Sequence, residues 1–177
     1  MSDPSFRNAY SNVLGKYNDR EGIVIDTRWN GGGRLHEDIE VLFSGKKYFT
    51  QVVRGRESCD MPSRRWNKPS IMVQCEANYS NAHGTPWVYK HVGLGKLVGA
   101  PVPGTMTSVN WVDLQDPSLY FGIPVVGYRL PDGSYLENKQ LEPDILVLND
   151  PATVVNGDDA QLRTAIEELL REIDSAK

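Results

Sequence analysis

Gly22-Ile23-Val24-Ile25-Asp26-Thr27, running on through Arg28-Trp29-Asn30 into the triplet Gly31-Gly32-Gly33, is the stretch that decides the fold. Its first half is short, β-branched and uninterrupted, the pattern of a strand buried on both faces. The glycines break it, and Leu35, Ile39, Leu42 and Phe43 then recur at helical spacing. Further along, the same grammar returns. Ser70-Ile71-Met72-Val73-Gln74-Cys75 reads as a second buried strand, 76–81 as a turn, and 82–93 as a helix. Strand, turn and helix repeated in this order predict an α/β domain with parallel strands.

The rest of the chain fits around that unit. Phe6, Tyr10, Val13, Leu14 and Tyr17 predict an opening helix, with Asp3-Pro4 as cap and first-turn proline. A strand is expected at 47–53, a loop at 54–69, a third sheet strand at 96–100 and a hairpin around Pro131-Asp132-Gly133. A last strand at 144–148 precedes a closing helix over 158–173, with Leu162, Ala165, Ile166, Leu169 and Ile173 on one face.

Composition narrows the class. The 177 residues fit one domain, and a net charge of -4 argues against a phosphate-tracking surface, so no nucleic acid is expected as partner. The one basic cluster, Arg54, Arg56, Arg64, Arg65 and Lys68, falls in the expected loop. Cys59 and Cys75 follow no zinc-type spacing, and Cys75 reads as a buried small hydrophobe, so no metal or cofactor is expected. No apolar stretch approaches a membrane span. The chain opens directly on an amphipathic segment, as a domain excised from a longer protein would, and the compartment stays open.

Two turns offer chemistry. In the first, consecutive glycines let backbone approach a ligand closely and leave N–H groups at a helix start, which suits an oxyanion hole, a phosphate cradle, or simply a mobile connection. It matches neither the phosphate-loop nor the dinucleotide pattern. In the second, Asn78-Tyr79-Ser80-Asn81-Ala82-His83-Gly84, Ser80 stands where a buried strand feeds a helix. There it either caps the helix or exposes its hydroxyl beside the Asn81 N–H. Without Gly-x-Ser-x-Gly, the α/β-hydrolase reading fails.

These turns carry a family resemblance. Asp26-Thr27-Arg28-Trp29-Asn30-Gly31-Gly32-Gly33 resembles the Asp-x-Arg-x-Asn-x-Gly-Gly signature of the tricorn and C-terminal-processing (tail-specific) serine peptidases. Lys68-Pro69, Glu76 and the run Ser80 to Pro86 are similar to the nucleophile segment of the tricorn branch. Lys90 to Gly99 and Leu136 to Ile145 follow in the same order. The resemblance implies a crotonase/ClpP-like superhelical stack of β-turn-α units, with residues 1–177 forming one nucleophile-bearing catalytic domain. It implies that Ser80 attacks a peptide carbonyl and that the oxyanion is held by the Asn81 backbone N–H and one N–H from Gly31, Gly32 or Gly33. Asn81 itself departs from the acidic residue common after the serine in tricorn-type enzymes. The implied partners are a peptide or unfolded-protein substrate, upstream domains of the same protein, and further copies of the chain in a homo-oligomer.

Serine needs a base. The processing branch resembles a Ser/Lys dyad with the lysine 25 residues beyond the serine, and that count from Ser80 lands on Thr105. The tricorn branch implies instead a histidine supported through a serine by a distant glutamate. Glu137 fits the glutamate, and the histidine is expected upstream of this chain. Of the histidines present, His36 reads as a surface residue, His91 lies late in a helix, and His83 is one helical turn from Ser80. The competing readings are a non-catalytic binding module for a small apolar ligand or peptide on the same fold, and a degenerate peptidase with a structural role.

Overall fold

The computed structural model describes residues 2–177. In chain order, α1 (Asp3–Ser11) runs into a wider π-helical turn at Asn12–Lys16 and leads to β1 (Ile23–Asp26) and α2 (His36–Phe43). Then come β2 (Phe49–Val53), β3 (Arg56–Met61), β4 (Ser70–Gln74), α3 (Asn81–His91) and β5 (Leu97–Gly99). β6 (Ser108–Asp113), β7 (Tyr120–Val126), β8 (Ile145–Leu146), α4 (Pro151–Val154) and α5 (Ala160–Ser175) complete the chain.

β1, β4, β5 and β8 form a four-stranded parallel sheet in the order β1-β4-β5-β8. β4 is buried along its whole length, and its alternating side chains serve two cores. Ile71 and Val73 face α5 with Val98, Ala165, Leu169 and Ile173. Met72 faces the other way, packing with Tyr89 of α3, Leu97, Val102 and Leu141. Each such side chain contributes about 1.5–3 kcal/mol on burial, so truncating Ile71 to alanine is expected to cost about 2–5 kcal/mol. This two-faced sheet is why both strands read as continuous apolar runs rather than alternating ones.

Because β1 and β4 are parallel neighbours, the turns that follow them emerge at the same edge, the usual place for a site in a parallel sheet. Buried Asn78 ties the two turns together, donating to the Thr27 hydroxyl at 3.1 Å. Its amide also donates to the Ala82 carbonyl at 3.2 Å. That carbonyl lies one turn before Pro86, which has no N–H to offer it.

The expected loop at 54–69 is not all loop. Arg54 (φ 49°) and Gly55 (φ 81°) make a two-residue turn, and Arg56–Met61 returns antiparallel on β2. The positive φ values suit a primed hairpin turn, which an Arg-Gly pair does not advertise as Asn-Gly would. The Pro131-Asp132-Gly133 hairpin is present, closed by an Arg129–Tyr135 bridge. Among the described residues, no helix is long and apolar enough to cross a membrane.

Candidate active site

Ser80 heads α3 with φ 56° and ψ -124°. A non-glycine residue at positive φ is strained, and such strain persists only where the surroundings over-determine it. Here they do. The Ser80 N–H donates to the Thr105 hydroxyl at 3.2 Å, and the His83 N–H closes on the Ser80 carbonyl at 2.8 Å. Before it, the Tyr79 N–H donates to the Asn30 carbonyl at 3.0 Å, joining the serine turn to the glycine turn.

The glycine turn packs directly on the serine. A Cβ on Gly32 would stand 2.8 Å from the Ser80 Cβ, 2.9 Å from the Tyr79 carbonyl oxygen and 3.0 Å from the Asn81 nitrogen, at a φ of 103°. Only glycine permits that approach. The Gly32 N–H is turned onto the Asn30 side-chain oxygen at 2.9 Å, whereas Gly31 and Gly33 lie exposed on either side. Asn81 opens the helix, where its N–H has no intrahelical acceptor. Of the expected oxyanion residues, Gly32 and Asn81 therefore lie directly against Ser80, with Gly31 and Gly33 next to them in the chain.

The base positions are equally informative. Among the described residues no side chain hydrogen-bonds the Ser80 hydroxyl. Thr105, where the dyad count lands, does sit against Ser80, but its hydroxyl serves the backbone and carries no amine. Lys90 is occupied by Asp144 at 2.8 Å, and Lys96 by Glu168 and Glu172 at 2.5 and 2.9 Å. His83 is fully buried, and neither ring nitrogen has a hydrogen-bond partner. Burial holds its pKa below the usual histidine value, opposed by the Glu137 charge and by a backbone interaction with Lys139.

Glu137 is half-buried rather than an exposed hairpin charge, and its Oε2 accepts the Thr107 N–H at 2.6 Å. It thus lies beside the 105–107 segment that also contacts Ser80, without touching the serine itself. His36, expected at the surface, is half-buried. Its Nδ1 lies 2.6 Å from the Asn81 Nδ2 and its ring meets Tyr128 edge-on at 6.3 Å. The expectation failed because it took α2 alone, whereas α2 packs along α3. Thr105 and His36 are the two neighbours of the site that lay outside any motif.

On the other side of the glycine turn, a cleft of about 1000 Å³ opens beyond the strand ends, bordered by Trp29, Glu76, Pro101, Leu148 and Val155. Its floor is an ion triad. Arg28 bridges Asp26 at 2.7 Å and Asp159 at 2.8 Å, so the Asp26–Arg28 pairing expected from the sequence extends to α5. Hydrogen bonding to Asp26 and then Asp159 raises the Arg28 pKa, and Arg28 in turn holds Asp159 well below the usual carboxylate range. Among the described residues no group of His, Cys, Asp or Glu is placed to hold a metal ion.

The family model described as peptidase family S41 matches residues 1–147. The chain belongs to peptidase family S41. Within it, the chain is 29% identical over 98% of its length to a protein of Sulfurisphaera tokodaii described as a tricorn-like protease C-terminal subunit, of which it covers 20%. It is 25% identical over 86% of its length to the tricorn protease of Thermoplasma acidophilum, covering 14% of that protein. The chain thus spans a fifth or less of these curated relatives. The crystal structure of the tricorn protease superposes with a TM-score of 0.77 at 24% identity, over 87% of this chain and 15% of that one. The photosystem II D1 C-terminal processing protease gives 0.59 at 17% identity, over 82% and 40%. Both share the mixed α/β fold with a parallel sheet that this S41 chain displays.

Proposed function

We propose that residues 1–177 are the nucleophile-bearing catalytic domain of a serine endopeptidase that forms part of a longer protein and cleaves peptide or unfolded-protein segments. The observation that carries this reading is Ser80 held at φ 56° at the head of α3, with the Gly32 backbone pressed against it. A helix cap needs neither the strain nor the glycine.

In this mechanism the Ser80 Oγ attacks the scissile carbonyl carbon and gives its proton to a base. The tetrahedral oxyanion accepts hydrogen bonds from the Asn81 N–H and one N–H of the glycine turn. Because the Gly32 N–H is engaged by Asn30, the glycine donor is Gly31 or Gly33. One such donor is typically worth about 10²–10³ in rate. Collapse breaks the C–N bond, the amine leaves with the proton, and water hydrolyses the acyl-Ser80 ester. The base is a histidine from sequence upstream of this chain, positioned with the help of Glu137. No side chain bonds the Ser80 hydroxyl among the described residues, and His83 is fully buried and made less basic by that burial, which supports an external base. We further read the two strand–turn–helix units as part of a crotonase/ClpP-like superhelical stack.

The test is labelling of the longer parent protein by a fluorophosphonate probe. Labelling is expected in the parent and absent in Ser80→Ala; retained labelling in the variant would sink the assignment. Peptide hydrolysis by the 177-residue chain alone is expected to be undetectable, and appreciable turnover would overturn the external base.

A further inference from the structure

Nothing in the candidate site accounts for Trp29. It sits in the glycine turn at φ 60° and leaves its indole 77% exposed. A turn that needs this backbone conformation ordinarily takes glycine or asparagine, and a bulky side chain there is strained. The backbone holds it regardless. The Trp29 N–H donates to the buried Cys75 Sγ at 3.3 Å, and the carbonyl of the next residue accepts the Tyr79 N–H at 3.0 Å. Strain of this kind persists at ligand clamps, and here the indole borders the cleft of about 1000 Å³ over the Arg28 triad.

The cleft's own chemistry says what fills it. Leu148 and Val155, 68% and 86% exposed, line it together with Trp29, a concentration of exposed apolar surface that marks a binding groove. Its size exceeds the need of one side chain and suits a ligand of several residues. Its charge is negative: among the described residues, Asp26, Glu76 and Asp159 line it against Arg28, which is already paired with both aspartates. Such a groove disfavours an acidic ligand and accepts a neutral or basic one.

Its position ties it to Ser80. Trp29 lies two residues before Gly31 in one turn and Glu76 four residues before Ser80 in the other, so both turns that build the site also wall the cleft. Ser80, Asn81 and the three glycines themselves do not line it. An extended peptide advances about 3.3–3.6 Å per residue, so a chain held at Ser80 and continuing over the glycine turn enters the cleft a few residues from the attacked bond.

We propose that this cleft is a remote substrate subsite, taking a large apolar side chain, aromatic above all, from a peptide segment free of acidic residues. Its role in substrate selection rests on the peptidase reading, whereas its binding preference does not.

Two readouts test the proposal. In the purified chain, the Trp29 indole N–H resonance is followed during titration with Ac-Ala-Ala-Phe-Ala-Ala-NH2, with the same peptide carrying Ala for Phe, and with Asp placed beside the Phe. The Phe peptide is expected to bind about tenfold more tightly than either of the others. Leu148→Ser/Val155→Ser is expected to lose that preference with an unchanged circular dichroism spectrum. In the longer parent protein, one Phe is walked through an internally quenched alanine-glycine peptide. At one position away from the cleaved bond it is expected to raise kcat/KM about tenfold through KM. The double variant is expected to lose this gain, with kcat and fluorophosphonate labelling of Ser80 unchanged. Equal binding of the three peptides, or a preference that the double variant keeps, would overturn the proposal. So would a preference seen in the chain and missing from the longer parent, since another part of that protein would then fill the cleft. A binding preference without any labelling of Ser80 would overturn the substrate role together with the peptidase reading and leave the peptide-binding site standing.

Discussion

Gly32→Ala tests the junction on which the site depends. The new methyl would meet the Ser80 Cβ at 2.8 Å, the Tyr79 oxygen at 2.9 Å and the Asn81 nitrogen at 3.0 Å. Two of those atoms are backbone, so no side chain can swing aside. A side chain at φ 103° adds strain of about 1–3 kcal/mol, and overpacking adds about 1–3 kcal/mol more. Together these are a large share of a domain stability of about 5–15 kcal/mol. The control is adjacent: a Cβ on Gly31 meets nothing within 4 Å and the residue is not at positive φ, so Gly31→Ala is expected to cost less than about 1 kcal/mol. Urea denaturation of the purified chain compares the two, and the fluorophosphonate labelling rate of the longer parent reads the site. Displacing the serine turn by a fraction of an ångström is expected to slow labelling by Gly32→Ala about 10²-fold. If Gly32→Ala unfolds at the same urea concentration as Gly31→Ala, the close packing of the two turns is refuted.

Other perturbations probe the surrounding groups. Thr105→Val removes the acceptor of the Ser80 N–H and is expected to lower the labelling rate about tenfold, with Thr105→Ser retaining it, since a lost hydrogen bond of this kind is worth about 0.5–1.5 kcal/mol. His83, its pKa lowered chiefly by burial, stays neutral in the fold while the unfolded chain protonates, so stability should fall as pH drops through about 6.5. His83→Leu is expected to flatten that stretch of a pH–stability profile without loss at neutral pH, because it removes a buried polar group that has no partner. Arg28→Met, which leaves Asp26 and Asp159 unpaired, should cost about 1.5–3 kcal/mol at neutral pH by thermal denaturation. Asp159 is held low chiefly by Arg28, so the unmutated chain should lose stability as pH falls below about 4, and the variant should do so less steeply, since the Leu162 N–H and Asn149 still hold the carboxylate. Asn81→Asp replaces the amide that donates to the His36 Nδ1; imidazole nitrogen shifts should then show a proton on Nδ1, and an unchanged ring pattern would mean the Asn81 amide faces the other way.

The strand–turn–helix units were legible because burial on both faces of β1 and β4 writes a continuous apolar run, and the glycines mark the break. Ser80 was legible only through the order of motifs around it. Its strained backbone leaves no trace in composition, since any residue preference at φ 56° would favour glycine or asparagine over serine. β3 was missed because its turn is Arg54-Gly55 and its side chains are polar and exposed, so neither turn chemistry nor alternation announces it.

The site's remaining neighbours fall in a different class. Thr105 lies 25 residues from Ser80, and His36 45 residues from Asn81. Neither contact follows from a helical or strand period, because each joins two loops or helices that only the tertiary fold brings together. The count to Thr105 pointed to the right place and the wrong chemistry: the position that touches the serine is filled by a hydroxyl that holds the backbone, not an amine that takes a proton. A hydroxyl there accepts the Ser80 N–H and so supports its strained conformation; under the proposed function, activation of the serine falls to another group. The two features belong together: Thr105, Asn30 and Gly32 hold the serine turn through its backbone and leave the Ser80 hydroxyl without a side-chain partner, which is the state the proposed mechanism requires.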